Sequence, residues 1–129
     1  MVPPSDPVRA DSEAVSNSVR AIIHVESGFY DGLAWPLDRA STVIGRGSNA
    51  DLVLNEATIS RAHALIGYDG NRIFVQDLGS TNGTLVNGSK EERKHLEHDD
   101  ELRMGRLVLR ISIEEDVGSG EKPGSRASA

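Results

Sequence analysis

Turn-forming residues divide this chain into many short segments, which strongly limits the folds open to it. Asp31-Gly32, Asp69-Gly70 and Asn87-Gly88 are such turn signals, because glycine and asparagine tolerate the positive φ of a tight turn. The runs between them are short and rich in β-branched residues, as in 21–25 and 72–77, and no segment keeps a 3.6-residue apolar period. The sequence therefore predicts an all-β fold, an antiparallel β-sandwich with functional loops at one end.

The two ends of the chain differ in composition from its middle. Residues 1–18 are rich in Pro, Ser and Asp, and residues 117–129 are rich in Gly and Ser. Such segments bury too little apolar surface to offset the entropy lost on ordering. We predict a disordered N-terminal tail at 1–18, one folded domain at 19–114, and a disordered C-terminal tail or linker at 115–129.

Composition excludes several classes of function. Cysteine is absent, which rules out disulfides and thiolate metal sites. The net charge is −6, and residues 20–113 carry 11 Lys and Arg against 13 Asp and Glu, so a nucleic-acid partner is not expected. No apolar run approaches the roughly 18 residues of a membrane helix. We expect a cytoplasmic protein without a membrane partner.

Three blocks of residues between positions 45 and 84 share a chemistry suited to a phosphate. They are Gly45-Arg46, then Ser60-Arg61-Ala62-His63, then 77–84, which reads Asp-Leu-Gly-Ser-Thr-Asn-Gly-Thr; Asn87 follows shortly after. Guanidinium groups, short hydroxyl and amide side chains, and glycines that expose backbone N–H groups are what a phosphorylated peptide requires. The blocks predict a site for phosphorylated protein.

In order and spacing, these blocks resemble the signature of the forkhead-associated (FHA) domain. The resemblance covers about 20–113 and continues through Leu96, Asp99-Asp100, Leu102 and Met104-Gly105. It implies an FHA/SMAD-like sandwich of about eleven strands that recognises phosphothreonine and acts as a signal-transduction adaptor downstream of a serine/threonine kinase. The implied partner is a phosphothreonine-containing protein, either the kinase or its substrate. A monomer without enzymatic activity, cofactor or metal is expected.

The resemblance also implies a set of binding residues. The phosphopeptide-binding residues would be Arg46, Ser60, Arg61, Thr81 and Asn82. Weaker candidates are Ser48 and Asn49 in the loop after Arg46, and Gly83. Support of the site is predicted for Gly45, His63, Asp77 and Asn87, with His63 as a buried histidine that holds two binding loops together.

Three alternatives remain open at this point. Ser60, His63 and Asp77 are the residue types of a hydrolase triad, although no G-x-S-x-G elbow surrounds the serine. His95 and His98, with the acidic residues 99–101, could form a zinc site. The third alternative keeps the fold but makes it a scaffold that binds unphosphorylated partners.

The positions of the threonines bear on regulation. They are Thr42, Thr58, Thr81 and Thr84, and neither predicted tail contains one. A site that requires phosphothreonine could not be occupied by these tails, so we expect recognition of a segment outside them.

Overall fold

The computed structural model describes residues 19–115, which form two β-sheets packed face to face. The predicted N-terminal tail 1–18 lies outside the described residues, and so does the predicted C-terminal tail 115–129 except for Glu115, the last residue of the final strand. The disorder of the tails and the domain boundaries therefore stay predictions. Within 19–115 no helix is long and apolar enough to cross a membrane.

Eleven strands and one 3₁₀ turn, Gly28–Tyr30, make up the regular structure of this range. The strands are β1 Val19–Val25, β2 Ala34–Pro36, β3 Ser41–Gly45, β4 Leu52–Val53, β5 Ala64–Asp69, β6 Arg72–Asp77, β7 Thr84–Val86, β8 Ser89–Lys90, β9 Arg93–Leu96, β10 Glu101–Met104 and β11 Leu107–Glu115. The prediction of an all-β sandwich of about eleven short strands is confirmed.

The strands are divided between a six-stranded and a five-stranded sheet. The first has the order β2-β1-β11-β10-β7-β8, and the second has the order β4-β3-β5-β6-β9. All pairs are antiparallel except β3 and β4, which run parallel where Ile44 faces Leu52. The pairing of β1 with β11 covers seven residue pairs, the longest in the described part of the chain, and joins residues that are distant in sequence.

The core lies between the sheets and follows the period of two that a half-buried strand requires. Along β1 the side chains of Val19, Ala21, Ile23 and Val25 are buried, and those between them are more exposed. Leu102, Leu109 and Ile111 of the same sheet are also buried, as are Ile44 and Ile66 of the other sheet. Trp35 is half-buried and packs against this core.

Three loops leave one end of the sandwich and carry most of the predicted site. They follow β3 (46–51), β4 (54–63) and β6 (78–83). Two of them meet where β3 ends, because a Cβ atom at Gly45 would lie 1.9 Å from the Arg61 carbonyl oxygen. Glycine at this position therefore lets the backbone of β3 touch the backbone of Arg61.

Replacing Gly45 by alanine is expected to destabilise the domain by roughly 1–3 kcal/mol or more, since rigid backbone must move to admit the methyl group. Gly47→Ala is the matched comparison, because its new methyl group would meet the Arg61 Cβ at 3.1 Å rather than a carbonyl at 1.9 Å. Urea denaturation of the two variants measures the difference. Equal free energies of unfolding would contradict the close contact.

Candidate functional site

Arg46 stands at the end of β3 with its side chain exposed and anchored at one point. Its backbone N–H donates to the carbonyl oxygen of Ser60 at 3.0 Å, and its Nε–H donates to the carbonyl oxygen of Ile59 at 3.0 Å. Within residues 19–115 the two terminal nitrogens of the guanidinium have no hydrogen-bond partner and remain available. No carboxylate in the described part of the chain forms an ion pair with Arg46, so its charge is not neutralised there.

Ser60 joins the second loop to the third. Its Oγ accepts a hydrogen bond from the backbone N–H of Thr81 at 3.1 Å. Because the oxygen acts as acceptor in that bond, the hydroxyl proton is free to be donated elsewhere. The neighbouring Arg61 is exposed, and its carbonyl oxygen accepts from the N–H of Gly47 at 3.1 Å.

Asp77 organises the third loop from the end of β6. Its Oδ2 accepts from the N–H groups of Gly79 and Ser80, both at 3.0 Å, and its Oδ1 accepts from the hydroxyls of Ser80 at 2.5 Å and Thr84 at 2.7 Å. Burial acts to raise the pKa of Asp77, but these hydrogen bonds outweigh it and hold that pKa below the ordinary value of an aspartate. Both oxygens of the carboxylate are therefore used to hold the loop in shape, and Asp77 supports the site without being one of its binding groups.

Asn82 crosses from the third loop to the second. Its Nδ2 donates to the carbonyl oxygen of Thr58 at 2.7 Å, next to the Ile59 carbonyl that anchors Arg46. Thr58 itself is tied down, because its Oγ1 donates to Glu56 at 2.7 Å and accepts from the N–H of Arg106 at 2.8 Å. Sequence reasoning missed Thr58, since a contact made through a main-chain carbonyl leaves no residue-type signal.

His63 is fully buried and connects the second and third loops through backbone atoms. Its Nδ1 accepts from the N–H of Ser60 at 3.0 Å, and its Nε2 lies 2.9 Å from the carbonyl oxygen of Gly83. A carbonyl oxygen only accepts, so Nε2 carries the proton and the ring is neutral. This histidine supports the geometry of Ser60 and of the loop that carries Asn82.

The other residues predicted for the site are Ser48, Asn49, Gly83 and Asn87, and they occupy different environments. Ser48 and Asn49 are exposed and line an open depression of about 320 Å³ together with Gly47 and Arg61. Gly83 is buried, with a positive φ of 81°. Asn87 lies at the far end of β7, where it hydrogen bonds Asp100 and Glu101, so it supports the β7–β8 hairpin and does not touch the binding loops.

The side-chain geometry differs from that of a catalytic triad. In a triad the histidine contacts the serine hydroxyl with one nitrogen and the carboxylate with the other. Here both nitrogens of His63 contact backbone atoms, and the Ser60 hydroxyl oxygen is bonded to Thr81. In this arrangement neither nitrogen of His63 is placed to take the proton of the Ser60 hydroxyl.

The two histidines of the alternative zinc site have separate partners. His95 contacts Asp69 at 3.2 Å, whereas the Nδ1 of His98 accepts from the N–H of Ile113 at 3.0 Å. Within the described range no group of three or more His, Asp or Glu side chains is arranged to hold a metal ion.

Comparison with known proteins points to one family. The model of the FHA domain matches residues 42–105, which include all three blocks described above. A solved structure from a structural and functional analysis of phosphothreonine-dependent FHA domain interactions superposes with a TM-score of 0.67 and 31% identity. That match covers 72% of this chain and 95% of that chain.

Two regulatory proteins are similar in sequence. The glycogen accumulation regulator GarA of Mycobacterium tuberculosis is 33% identical over 109 residues, which cover 80% of this chain and 67% of that protein. The oxoglutarate dehydrogenase inhibitor of Corynebacterium jeikeium is 35% identical over 89 residues, covering 69% of this chain and 62% of that protein. The chain thus spans about three fifths to two thirds of the length of these relatives.

Replacing Asp77 by asparagine is expected to cost roughly 1–3 kcal/mol of stability at pH 7, through lost charge-assisted hydrogen bonds. The folded-state pKa lies below the unfolded-state pKa of about 3.9. The stabilisation is therefore complete well above pH 4 and is lost as the pH falls through the folded-state pKa. Urea denaturation at pH 7 and pH 3 should show the wild-type advantage shrinking in acid. Asp38→Asn removes the same charge from an exposed side chain and serves as the control.

Replacing His63 by alanine is expected to lower the free energy of unfolding by roughly 2–4 kcal/mol, because it leaves a cavity and two unpaired backbone groups. His24→Ala, on the outer face of β1, should cost far less. Thermal denaturation of both variants tests the difference, and an unchanged melting temperature in His63→Ala would contradict the bridging role.

Proposed function

Since the chain belongs to the forkhead-associated domain family, we propose that it binds phosphothreonine-containing segments of partner proteins as an adaptor downstream of a serine/threonine kinase. One observation carries the proposal: the polar groups of Arg46, Ser60, Arg61, Thr81 and Asn82 come from three loops that are hydrogen bonded to one another. A doubly charged phosphate needs several donors that converge on it, and these loops offer them at one end of a rigid sandwich.

The phosphate would be held by the groups that the fold leaves free. Arg46 has two terminal nitrogens to donate once Nε is anchored on Ile59, and Arg61 adds a second guanidinium. Ser60 has its hydroxyl proton to donate, because its oxygen already accepts from Thr81. Each hydrogen bond to a charged group contributes roughly 1.5–3 kcal/mol, so three or four of them are enough for a specific complex.

The main chain of the partner would be held by Asn82. One Nδ2 proton is used on the Thr58 carbonyl, which leaves the Oδ1 to accept from a peptide N–H and the second proton to donate to a peptide carbonyl. The bond to Thr58 also fixes the orientation of the amide before the peptide arrives. Binding therefore loses little side-chain entropy at this residue.

The proposed role is recognition without chemistry. His63 serves the backbone and is not placed to act as a base for Ser60, which agrees with a binding function. The relatives are named as an inhibitor and a regulator, and this chain would act in the same general way, by docking onto a phosphorylated enzyme or kinase. Because residues 1–18 and 116–129 contain no threonine, the phosphothreonine would come from outside these segments.

Replacing Arg46 by alanine is expected to weaken binding of a phosphothreonine peptide by at least 30-fold, since about 2 kcal/mol or more of charged hydrogen bonding is removed. The probe is a degenerate peptide library with one fixed phosphothreonine, followed by titration of the best sequence. The control is Arg20→Ala, which removes an exposed arginine that pairs with Glu114. This variant should bind the phosphothreonine peptide with wild-type affinity.

The same peptide without its phosphate is the decisive companion measurement. Wild-type protein should bind it at least 100-fold more weakly. Equal affinity for the two forms would support the phosphate-independent scaffold, and unchanged affinity in Arg46→Ala would remove Arg46 from the site.

A further inference from the structure

Two cations on the outer face of the first sheet stand beside the proposed site, and the proposed function leaves them unused. Lys90 on β8 and Arg103 on β10 are both paired in register with Leu85 on β7, one from each side. Directly paired residues of antiparallel strands project from the same face. With neighbouring strands about 4.8 Å apart, the two basic residues flank Leu85 at a backbone separation of roughly 10 Å.

Lys90 reaches from this face to the third binding loop. A Cβ atom placed on Gly83 would lie 3.5, 3.3 and 2.7 Å from the Cγ, Cδ and Cε atoms of Lys90. The side chain thus runs over Gly83 and comes closest near its charged end. Gly83 directly follows Asn82, so the Lys90 side chain lies beside the residue that neighbours Asn82 in the chain, and Asn82 is proposed to hold the main chain of the partner.

Both cations are exposed and lack an acidic partner within the described part of the chain. Arg20, Arg39, Arg93 and Arg110 form ion pairs there, whereas Lys90 and Arg103 do not. Glu101 lies on the same face of β10 as Arg103 and is paired in register with Arg110, which is also bonded to Glu26. The folded region as a whole is slightly acidic, so this local positive charge is not part of a general basic surface.

We propose that Lys90 and Arg103 form a second anion-recognition point, which selects phosphorylated partners carrying Asp or Glu close to the phosphothreonine. This inference rests on the proposed function, because it needs the partner's main chain to pass over Asn82 and Gly83. The acidic side chains would lie against the Leu85 face while the phosphate occupies the Arg46 end. Specificity for the partner then arises from two separated charges, and the phosphate supplies most of the affinity.

The experiment measures how strongly binding depends on acidic residues in the peptide. Two series of phosphothreonine peptides carry Asp or Asn at three successive positions, either before or after the phosphothreonine. Affinities are measured for the wild type, Lys90→Met, Arg103→Gln and the double variant. Methionine keeps the apolar stem that covers Gly83. Lys94→Met, on β9 of the other sheet, is the matched control for a lost surface charge.

In one of the two series, the wild type should bind the Asp peptide about 3- to 10-fold more tightly than the Asn peptide, as expected for exposed ion pairs. The double variant should bring that ratio near one and still bind the Asn peptide within about twofold of the wild type. Lys94→Met should keep the wild-type ratio, and Lys90→Arg should retain it as well. Melting temperatures near that of the wild type establish that the variants are folded.

The inference is overturned if neither series favours Asp in the wild type, or if the double variant keeps the full ratio. Failure of the proposed function has a different signature: no phosphothreonine peptide, acidic or neutral, would bind the wild type better than its unphosphorylated form.

Discussion

The backbone of residues 58–61 is the part on which the rest of the site depends. Four consecutive residues in this segment take part in hydrogen bonds with all the other parts of the site. The carbonyl groups of 58–61 accept in turn from the Asn82 amide, the Arg46 guanidinium, the Arg46 N–H and the Gly47 N–H. The N–H of Ser60 donates to His63, and its hydroxyl accepts from Thr81. The segment orients Arg46 and Asn82 through its main chain and the backbone of Thr81 through the Ser60 hydroxyl.

Buried polar groups make this arrangement stable and specific. His63 and Thr84 are almost fully buried, and Asp77 is half-buried; each has hydrogen-bond partners for its polar atoms. An unpaired polar group at such depth costs roughly 1–3 kcal/mol, so other loop conformations that break these bonds are disfavoured. The loops are therefore ordered before a ligand binds, and a phosphorylated segment would find its donors already in place.

The sequence predicted which residues take part in the site better than it predicted the contacts that each of them makes. The strand pattern and the three blocks predicted the sandwich and the participants of the site, because turn residues and alternating burial are local signals. The same residue types also allowed a triad of Ser60, His63 and Asp77, since a sequence does not say which ring nitrogen meets which atom. Asn87 was predicted to support the site; in the structure its side chain hydrogen bonds Asp100 and Glu101 at the end of β7 that lies away from Gly83.

By itself the sequence determined the fold class, the order of the strands and turns, and which short polar residues are concentrated near Gly45, Ser60 and Asn82. Only the tertiary structure decided that Thr58 and Ile59 anchor Asn82 and Arg46, and that Lys90 and Arg103 flank Leu85 beside Gly83. The physical reason is that strand pairing and main-chain carbonyl contacts join residues far apart in the chain. Strand pairing requires no particular side chain, and a carbonyl contact requires none on the residue that accepts, so neither Thr58 nor Ile59 can be read from the sequence as a partner.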